Sequence, residues 1–132
     1  MISPLAVALG ALSLFFIGGL WYSPLLFGKP WMRLNGFSEA DLKAGSPARI
    51  FGGSLLLSVL ATAAFAVFLG PDVRPVDGLL YGGTAGLAWV GAGYGITGLF
   101  ERRPLRLLAI NAGYHTVAFA VMGLILGATG GG

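Results

Sequence analysis

Residues 101–127 read ERRPLRLLAINAGYHTVAFAVMGLILG and decide the fold of this chain. Three charged residues come first, Pro104 follows, and the rest is apolar apart from a few polar side chains. An apolar run of about 20 residues is long enough to cross a bilayer as a helix. This run also carries Asn111 and His115, the only histidine of the chain. Because lipid contact disfavours such side chains, the stretch predicts a membrane span with a polar site on one face.

The composition extends this interpretation to the whole chain. Of its 132 residues, 56% are hydrophobic and 10% are charged, whereas about 25% of the residues of a soluble domain are charged. We therefore predict one all-α integral membrane domain over residues 1–132. Cysteine is absent, which excludes disulfide and thiolate chemistry. The few cations lie beside apolar segments, so they favour an anionic lipid surface over nucleic acid as a partner.

Four apolar runs of about 20 residues predict four transmembrane helices in a four-helix bundle with glycine-rich packing. Their approximate bounds are 3–21, 49–70, 78–100 and 104–127. The first run lacks a basic start and an A-x-A cleavage site, so we expect it to be retained rather than cleaved as a signal peptide. Proline and glycine interrupt residues 24–44, which predicts an amphipathic segment that lies in the membrane interface.

Short polar signals predict where several helices begin. Ser23 before Pro24 is typical of an N-cap followed by a first-turn proline. Ser38 with Asp41 fits a capping box at the start of a short polar helix. Asp77 is a candidate cap for the third span.

The positions of Lys and Arg predict the orientation in the membrane. The first loop and the third loop, with the first turn of the fourth span, contain Lys29, Arg33, Lys43, Arg49, Arg102, Arg103 and Arg106. The loop between the second and third spans has only Arg74. The positive-inside rule places the first and third loops in the cytoplasm and both termini outside a bacterial inner membrane. We expect anionic lipids at Lys29, Arg33, Arg102 and Arg103.

Helical spacing sorts the polar residues of three spans onto stripes. The stripes are Ser54, Ser58 and Thr62 in the second span, Tyr94, Thr97 and Glu101 in the third, and Asn111 with His115 and neighbouring Tyr114 in the fourth. A bundle buries such stripes because lipid leaves their hydrogen bonds unmade. At about 1.5 Å per residue, Asn111 lies about 10 Å and His115 about 16 Å beyond Pro104. With Trp21, Tyr22 and Trp31, they predict a pocket that opens to the cytoplasm and is closed by the apolar outer half.

Each of these residues also has a purely structural interpretation. Serine and threonine in a membrane helix often bond the carbonyl four residues earlier, which makes the second-span stripe a packing feature. An Asn111–His115 pair is also compatible with hydrogen bonding between helices. Glu101 beside two arginines favours a loop ion pair over an acid catalyst. Gly78, Gly82 and Gly86, then Gly91 and Gly95, form GxxxG patterns that indicate close helix contact and no chemistry.

Two blocks of the sequence resemble a known family. The first is WYSPLLFGKPWM (21–32) with LNGF (34–37), and the second is ERRPL (101–105) with INAGYH (110–115). They look like the bacterial membrane-protein family of domain of unknown function 1761. The resemblance covers nearly the whole chain. It implies a small bacterial protein with four spans, and it implies no substrate.

Three functions remain open at this point, so the residues do not settle whether the chain is an enzyme. The pocket could bind or carry a small amphipathic or lipid-like ligand. His115 could be the general acid or base of a membrane enzyme, or the chain could be a structural or accessory subunit. The candidate ligand contacts are Asn111, His115, Tyr114, Tyr94, Thr97, Glu101, Trp21, Tyr22 and Trp31. We expect no metal and no cofactor, since one histidine and no cysteine are present, and we expect a homo-oligomer.

Overall fold

In the computed structural model, which describes residues 3–130, the chain is helical and has no strand in that range. The α-helices are α1 (Pro4–Trp21), α2 (Gly28–Asn35), α3 (Glu39–Ala44), α4 (Gly53–Leu69), α5 (Pro75–Ala85), α6 (Ala92–Phe100) and α7 (Leu105–Thr129). A first π-helical segment, Ala48–Gly52, leads into α4, and a second, Gly86–Gly91, joins α5 to α6. The backbone stays right-handed and helical at these junctions. We therefore call residues 75–100 the α5–α6 helix.

Three helices are long and apolar enough to cross a membrane: Pro4–Trp21, Ala48–Leu69 and Leu105–Thr129. Large apolar side chains on their outer faces are exposed, for example Phe16 at 68% and Leu56 at 73%. Water would oppose so much exposed apolar surface, whereas lipid tails match it. The α5–α6 helix is not among the three, since its many glycines lower its mean hydropathy. The all-helical prediction is confirmed, with three spans identified by length and composition.

The ends of the helices follow from local chemistry. Ser3 caps α1, where its hydroxyl oxygen accepts from the backbone N–H of Ala6 at 3.3 Å. The predicted capping box is present at α3: the backbone N–H of Ser38 donates to Asp41 at 2.8 Å, and that of Asp41 donates to the Ser38 hydroxyl at 3.1 Å. The hydrogen bond from the Ser38 backbone lowers the pKa of the Asp41 carboxyl below its ordinary value.

Two predicted helix starts are wrong. Ser23 does not cap a helix, because its hydroxyl donates backwards to the Leu20 carbonyl at 2.6 Å and residues 24–27 form turns before α2 begins at Gly28. The helix predicted to start after Asp77 begins at Pro75, with Arg74 in the N-cap position. Proline suits the first position of a helix, since the N–H it lacks has no helical partner there. Asp77 instead pairs with Arg74 at 2.7 Å.

Helix α7 is the centre of the packing. It packs against α1 on one side and against α5 and the second π segment on the other, and α1 packs in turn on α4. Helix α4 touches α7 only slightly and makes no substantial contact with the α5–α6 helix. The four long elements therefore lie in the order α4, α1, α7, α5–α6. The expected closed bundle is open between its first and last members, where a groove separates them.

The α5–α7 interface is a backbone contact made by glycine. A side-chain carbon built on Gly78, Gly82 or Gly86 would collide with the carbonyl oxygens of Gly123, Phe119 and His115, respectively. Glycine alone permits this approach, and the resulting Cα–H···O contacts suit helices that lack a hydrophobic driving force. The prediction of close helix contact is confirmed for this ridge, whereas Gly95 faces open space. The ridge is occupied within the chain, so it does not offer a surface to a second copy.

A small apolar core fills the centre of the row. The largest side chains with almost no exposure are Leu107, Met122, Leu126 and Thr62. Helices α1 and α4 meet where Gly10 faces the methyl group of Thr62. From this contact, α1 and α4 diverge toward the end of the molecule that carries α2 and α3. That separation positions the candidate site.

Candidate functional site

Asn111 of α7 is the polar centre of the site. Its side chain is buried, at 9% exposure. The hydroxyl of Tyr22, at the end of α1, donates to Asn111 Oδ1 at 2.6 Å, and Asn111 Nδ2 donates to the hydroxyl of Tyr94 on α6. One amide therefore connects three helices. A buried amide without these partners would cost about 1–3 kcal/mol, which explains why two tyrosines converge on it.

Two more hydrogen bonds attach the end of α1 to α7. The indole N–H of Trp21 donates to the Ile110 carbonyl at 2.9 Å. The hydroxyl of Tyr114 donates to the Leu14 carbonyl, also at 2.9 Å. Gly18 and Gly113 leave room for these aromatic rings, since their missing side chains face Tyr114 and Trp21. The aromatic residues of the WYSP and INAGYH blocks thus contact each other across the α1–α7 interface.

The segment after α1 places a third aromatic residue beside this network. Gly28 starts α2 against the backbone of Tyr22 and Ser23, an approach that any side chain would block. Trp31, one turn later, packs its ring 5.4 Å from that of Tyr22. The ring of Tyr22 in turn lies 5.6 Å from that of Tyr114. We call Tyr22, Trp31 and Tyr114 the aromatic trio.

A cavity of about 610 Å³ lies beside the aromatic trio. It is bounded by the second half of α1, by α2 and α3, and by the start of the second span. Its lining consists of Leu14, Phe15, Gly18, Gly19, Tyr22, Trp31, Leu42, Gly45, Pro47, Ile50, Phe51, Ser54, Ser58 and Tyr114. A ligand site of this kind typically measures about 300–1,000 Å³ and is mostly apolar with a few polar groups. The cavity has that size and that composition.

Several of these lining residues were missed by sequence reasoning. Phe15, Ile50 and Phe51 looked like ordinary lipid-facing positions, because no local pattern tells which apolar residues face a void. The rings of Phe15 and Phe51 lie 6.1 Å apart across the gap between α1 and the first π segment. The π segment itself was also missed, and the glycine pair at its end, Gly52 and Gly53, was the available signal. Such segments occur often at functional sites.

The stripe of Ser54, Ser58 and Thr62 has the structural role that was considered from the sequence, hydrogen bonding within its own helix. Each hydroxyl of Ser54, Ser58 and Thr62 donates to the carbonyl four residues earlier, at 2.6–2.8 Å. These bonds lie within one helix, so they do not join the second span to its neighbours. Ser54 and Ser58 nevertheless belong to the lining of the cavity.

His115 lies near the network and outside the cavity lining. Its half-buried ring packs 4.9 Å from the ring of Tyr114 and 6.4 Å from that of Tyr94. It forms no hydrogen bond with another side chain or backbone group of residues 3–130. Of the two residues considered as hydrogen-bonding links between helices, Asn111 forms such bonds and His115 does not. Every wholly buried side-chain nitrogen or oxygen in that part of the chain has a partner, so the ring nitrogens reach the surface.

Thr97 and Glu101 are separated from the other candidates. Helix α6 turns Gly98 toward Leu108 of α7, with Tyr94 one turn earlier, and Thr97 is exposed beside that face. Helical spacing alone placed Tyr94, Thr97 and Glu101 on one stripe. In the structure, the face of α6 that packs on α7 is the Gly98 side. Glu101 is exposed and pairs with Arg103 at 3.9 Å, which confirms the loop ion pair.

A second, apolar groove of about 380 Å³ lies between α4 and the α5–α6 helix. Its walls are Ala61, Ala64, Phe65, Phe68, Ala85, Trp89 and Phe119. This groove lies in the apolar half of the bundle that we expected to be closed. It is present because α4 and α5 make no substantial contact. Within the described residues, no group of three or more His, Cys, Asp or Glu side chains could bind a metal ion.

The comparisons with known proteins agree with the resemblance of the two sequence blocks. The chain belongs to the family described as "Protein of unknown function (DUF1761)", whose match covers residues 5–127. The matched range includes all the candidate site residues. No curated protein and no solved structure matches the chain.

Proposed function

We propose that this family member is a four-span membrane protein whose cavity binds or carries a small amphipathic or lipid-like molecule. The observation that supports this function is the cavity itself, whose lining combines the aromatic trio and two serines with apolar residues such as Leu14, Phe15 and Phe51. Such a lining matches a molecule with a polar head and an apolar body.

The hydrogen bonds around the cavity favour binding over catalysis. Asn111 uses its carbonyl oxygen and one amide hydrogen within the protein, and Tyr114 donates its only hydrogen to the Leu14 carbonyl. A general acid–base site needs a titrating group within reach of the substrate, and His115 is not part of the cavity lining. The enzyme hypothesis therefore has less support. The structural hypothesis keeps Asn111 as a connector between helices, a role compatible with ligand binding.

The placement in the membrane is also part of the proposal. The α5–α6 helix is also a span, the third along the chain, and its glycine ridge against α7 compensates for its lower hydropathy. Lys29 and Arg33 occupy the exposed face of α2 opposite Trp31, where they contact anionic lipid together with Arg102 and Arg103. The cavity then opens at the cytoplasmic face of a bacterial inner membrane, with both termini outside. Assembly into a homo-oligomer must use surfaces other than the α5 ridge.

Native mass spectrometry tests the proposed function. The protein is extracted directly into lipid nanodiscs, and the measurement looks for a co-purifying molecule and counts the subunits. We expect a small amphiphile bound to each chain. Protein that carries only bulk lipid, in the same ratio as its surroundings, contradicts the proposal.

Gly19→Leu is the variant that fills the cavity. Gly19 lines the cavity, and a side-chain carbon built on it meets no atom within 4 Å, so leucine adds bulk without a collision. We expect the bound molecule to be lost while the melting temperature of the purified protein stays near that of the wild type. Gly93→Leu is the matched control, because Gly93 is equally unobstructed and lies outside the cavity. Loss of the molecule in both variants, or in neither, argues against this site.

A further inference from the structure

The hydroxyl groups that line the cavity have already used their hydrogens. Tyr114 donates to the Leu14 carbonyl, Ser54 to the Ile50 carbonyl and Ser58 to the Ser54 carbonyl. A carbonyl oxygen can only accept, so the direction of these three bonds is unambiguous. Tyr22 donates to Asn111 Oδ1 in the same way. A hydroxyl has one hydrogen, and these four oxygens can therefore only accept from a ligand.

The remaining side chains of the lining supply little that could bind an anion. Neither lysine nor arginine lines the cavity. The exposed cations Lys29 and Arg33 occupy the face of α2 opposite Trp31, and Arg49 is exposed as well. With the four hydroxyl hydrogens engaged, the lining retains one side-chain donor, the indole N–H of Trp31. Phosphate and carboxylate heads need several donors or a cation, so this lining disfavours them.

The aromatic trio adds an attraction for positive charge. The ring of Tyr22 lies 5.4 Å from Trp31 and 5.6 Å from Tyr114, and all three rings line the same cavity. The face of an aromatic ring attracts a cation, most strongly for tryptophan, and the attraction increases where water is excluded. A protonated amine has three N–H donors and no acceptor. It therefore complements both the acceptor oxygens and the rings.

The geometry points to a protonated alkyl amine as the ligand class: an ammonium head among the aromatic trio and the acceptor oxygens, with its apolar chain toward Leu14, Phe15 and Phe51. This inference rests on the proposed function, since it concerns the same cavity. A polyhydroxylated head fits less well, because each of its hydroxyl groups also presents an acceptor and the lining side chains have one donor to offer.

The test compares three probes that share one chain: decylamine, decanol and decanoate. Binding to the protein in zwitterionic nanodiscs is measured by equilibrium dialysis, and binding to empty nanodiscs is subtracted. We expect decylamine to bind about tenfold more tightly than decanol, with decanoate weakest. Competition between decylamine and decanol should show that both occupy one site.

Trp31→Leu removes the tryptophan ring of the trio and keeps an apolar side chain. Decylamine affinity should fall about tenfold, and decanol affinity should change little. The matched control is Trp89→Leu, the same substitution in the separate apolar groove, which should leave decylamine binding unchanged. Melting temperatures of both variants establish that each is folded.

The outcomes separate the two proposals. If decanol or decanoate binds at least as tightly as decylamine and that binding is lost in Gly19→Leu, the cavity is a binding site and the ammonium inference is wrong. If no probe binds above the empty nanodiscs, both the inference and the proposed function are contradicted. Equal loss of decylamine and decanol in Trp31→Leu also overturns the ammonium inference, because it shows a general effect of packing.

Discussion

The two sides of α7 are built in opposite ways. On one side, α5 lies against α7 with backbone touching backbone along Gly78, Gly82 and Gly86. On the other, α1 and α4 meet in their middle and separate toward α2, with a cavity of about 610 Å³ between them. In lipid, association of helices depends on close packing and hydrogen bonds, since the hydrophobic effect adds nothing between apolar surfaces. We therefore expect the closely packed α5–α7 interface to contribute the stability that allows a cavity on the α1–α4 side.

The difference comes from the size of the side chains at the two interfaces. Across the α5–α7 interface, glycines of α5 pack directly against backbone carbonyl oxygens of α7, so no space remains between the two helices. Aromatic residues dominate the α1–α4 side near α2, where Phe15 and Phe51 meet edge to face at 6.1 Å. Large rings that contact each other at their edges hold two helices apart. A binding cavity is the result of this spacing.

Gly82→Leu should break the close side, and it is the change with the largest expected effect. Its side chain would collide with the Phe119 carbonyl, so α5 must move away from α7. We expect a loss of about 3 kcal/mol in the free energy of unfolding, measured by titration from mild detergent into sodium dodecyl sulfate. Gly95→Leu is the control and should change it by about 0.5 kcal/mol or less, because nothing lies within 4 Å of that position. Equal effects would contradict the ridge.

Asn111→Leu tests the connection between the two sides. The variant keeps the branched shape of the side chain and removes both hydrogen bonds, those to Tyr22 and to Tyr94. We expect a loss of about 1–3 kcal/mol in the same unfolding titration, since two hydroxyl groups lose their partner. Thr116→Val is the control, because Thr116 bonds the Ala112 carbonyl of its own helix and should cost less than Asn111→Leu. A neutral Asn111→Leu would show that the connection does not stabilise the fold.

Acidification should affect only α3, which bounds the cavity, and this is the smallest of the expected effects. The Ser38 backbone lowers the pKa of the Asp41 carboxyl, so the charged capping box stabilises α3 at any pH above the usual aspartate pKa of about 3.9. That contribution is lost as the pH falls through the lowered value. Hydrogen exchange of the α3 amides should accelerate in that range while α5 and α7 amides remain protected. Ser38→Ala should give fast exchange of α3 at neutral pH; slow exchange there would refute the assignment.

The helix start that was predicted correctly followed from residues that act on their own neighbours. The Ser38–Asp41 capping box is specified within four residues, so local sequence was sufficient. The same holds for the hydroxyls of Ser54, Ser58 and Thr62, which bond within one helix. The error at Asp77 arose because Pro75, two residues earlier, takes the first position of the helix. The error at Ser23 arose because its hydroxyl bonds the preceding Leu20 carbonyl and does not cap a following helix.

The sequence predicted only part of the candidate site, and the physical reason for each success or error differs from residue to residue. Asn111, Tyr22 and Tyr94 were expected together because buried amides and hydroxyls must find partners. Thr97 was placed with them by spacing, and only the contact of Gly98 with Leu108 showed which face α6 turns inward. Asn111 and His115 were considered together as a link between helices, and only Asn111 forms one, through two tyrosines.

The sequence by itself determined that the chain is an all-helical protein with long apolar helices, where those helices start and stop, and which polar groups need burial. These properties depend on hydropathy and on hydrogen bonds over a few residues. Tertiary structure alone decided that α7 lies at the centre, that the glycine ridge is used within the chain, and that α1 and α4 enclose a cavity. Which helix faces which depends on how side chains of different size fit together across long separations, and no single segment contains that information.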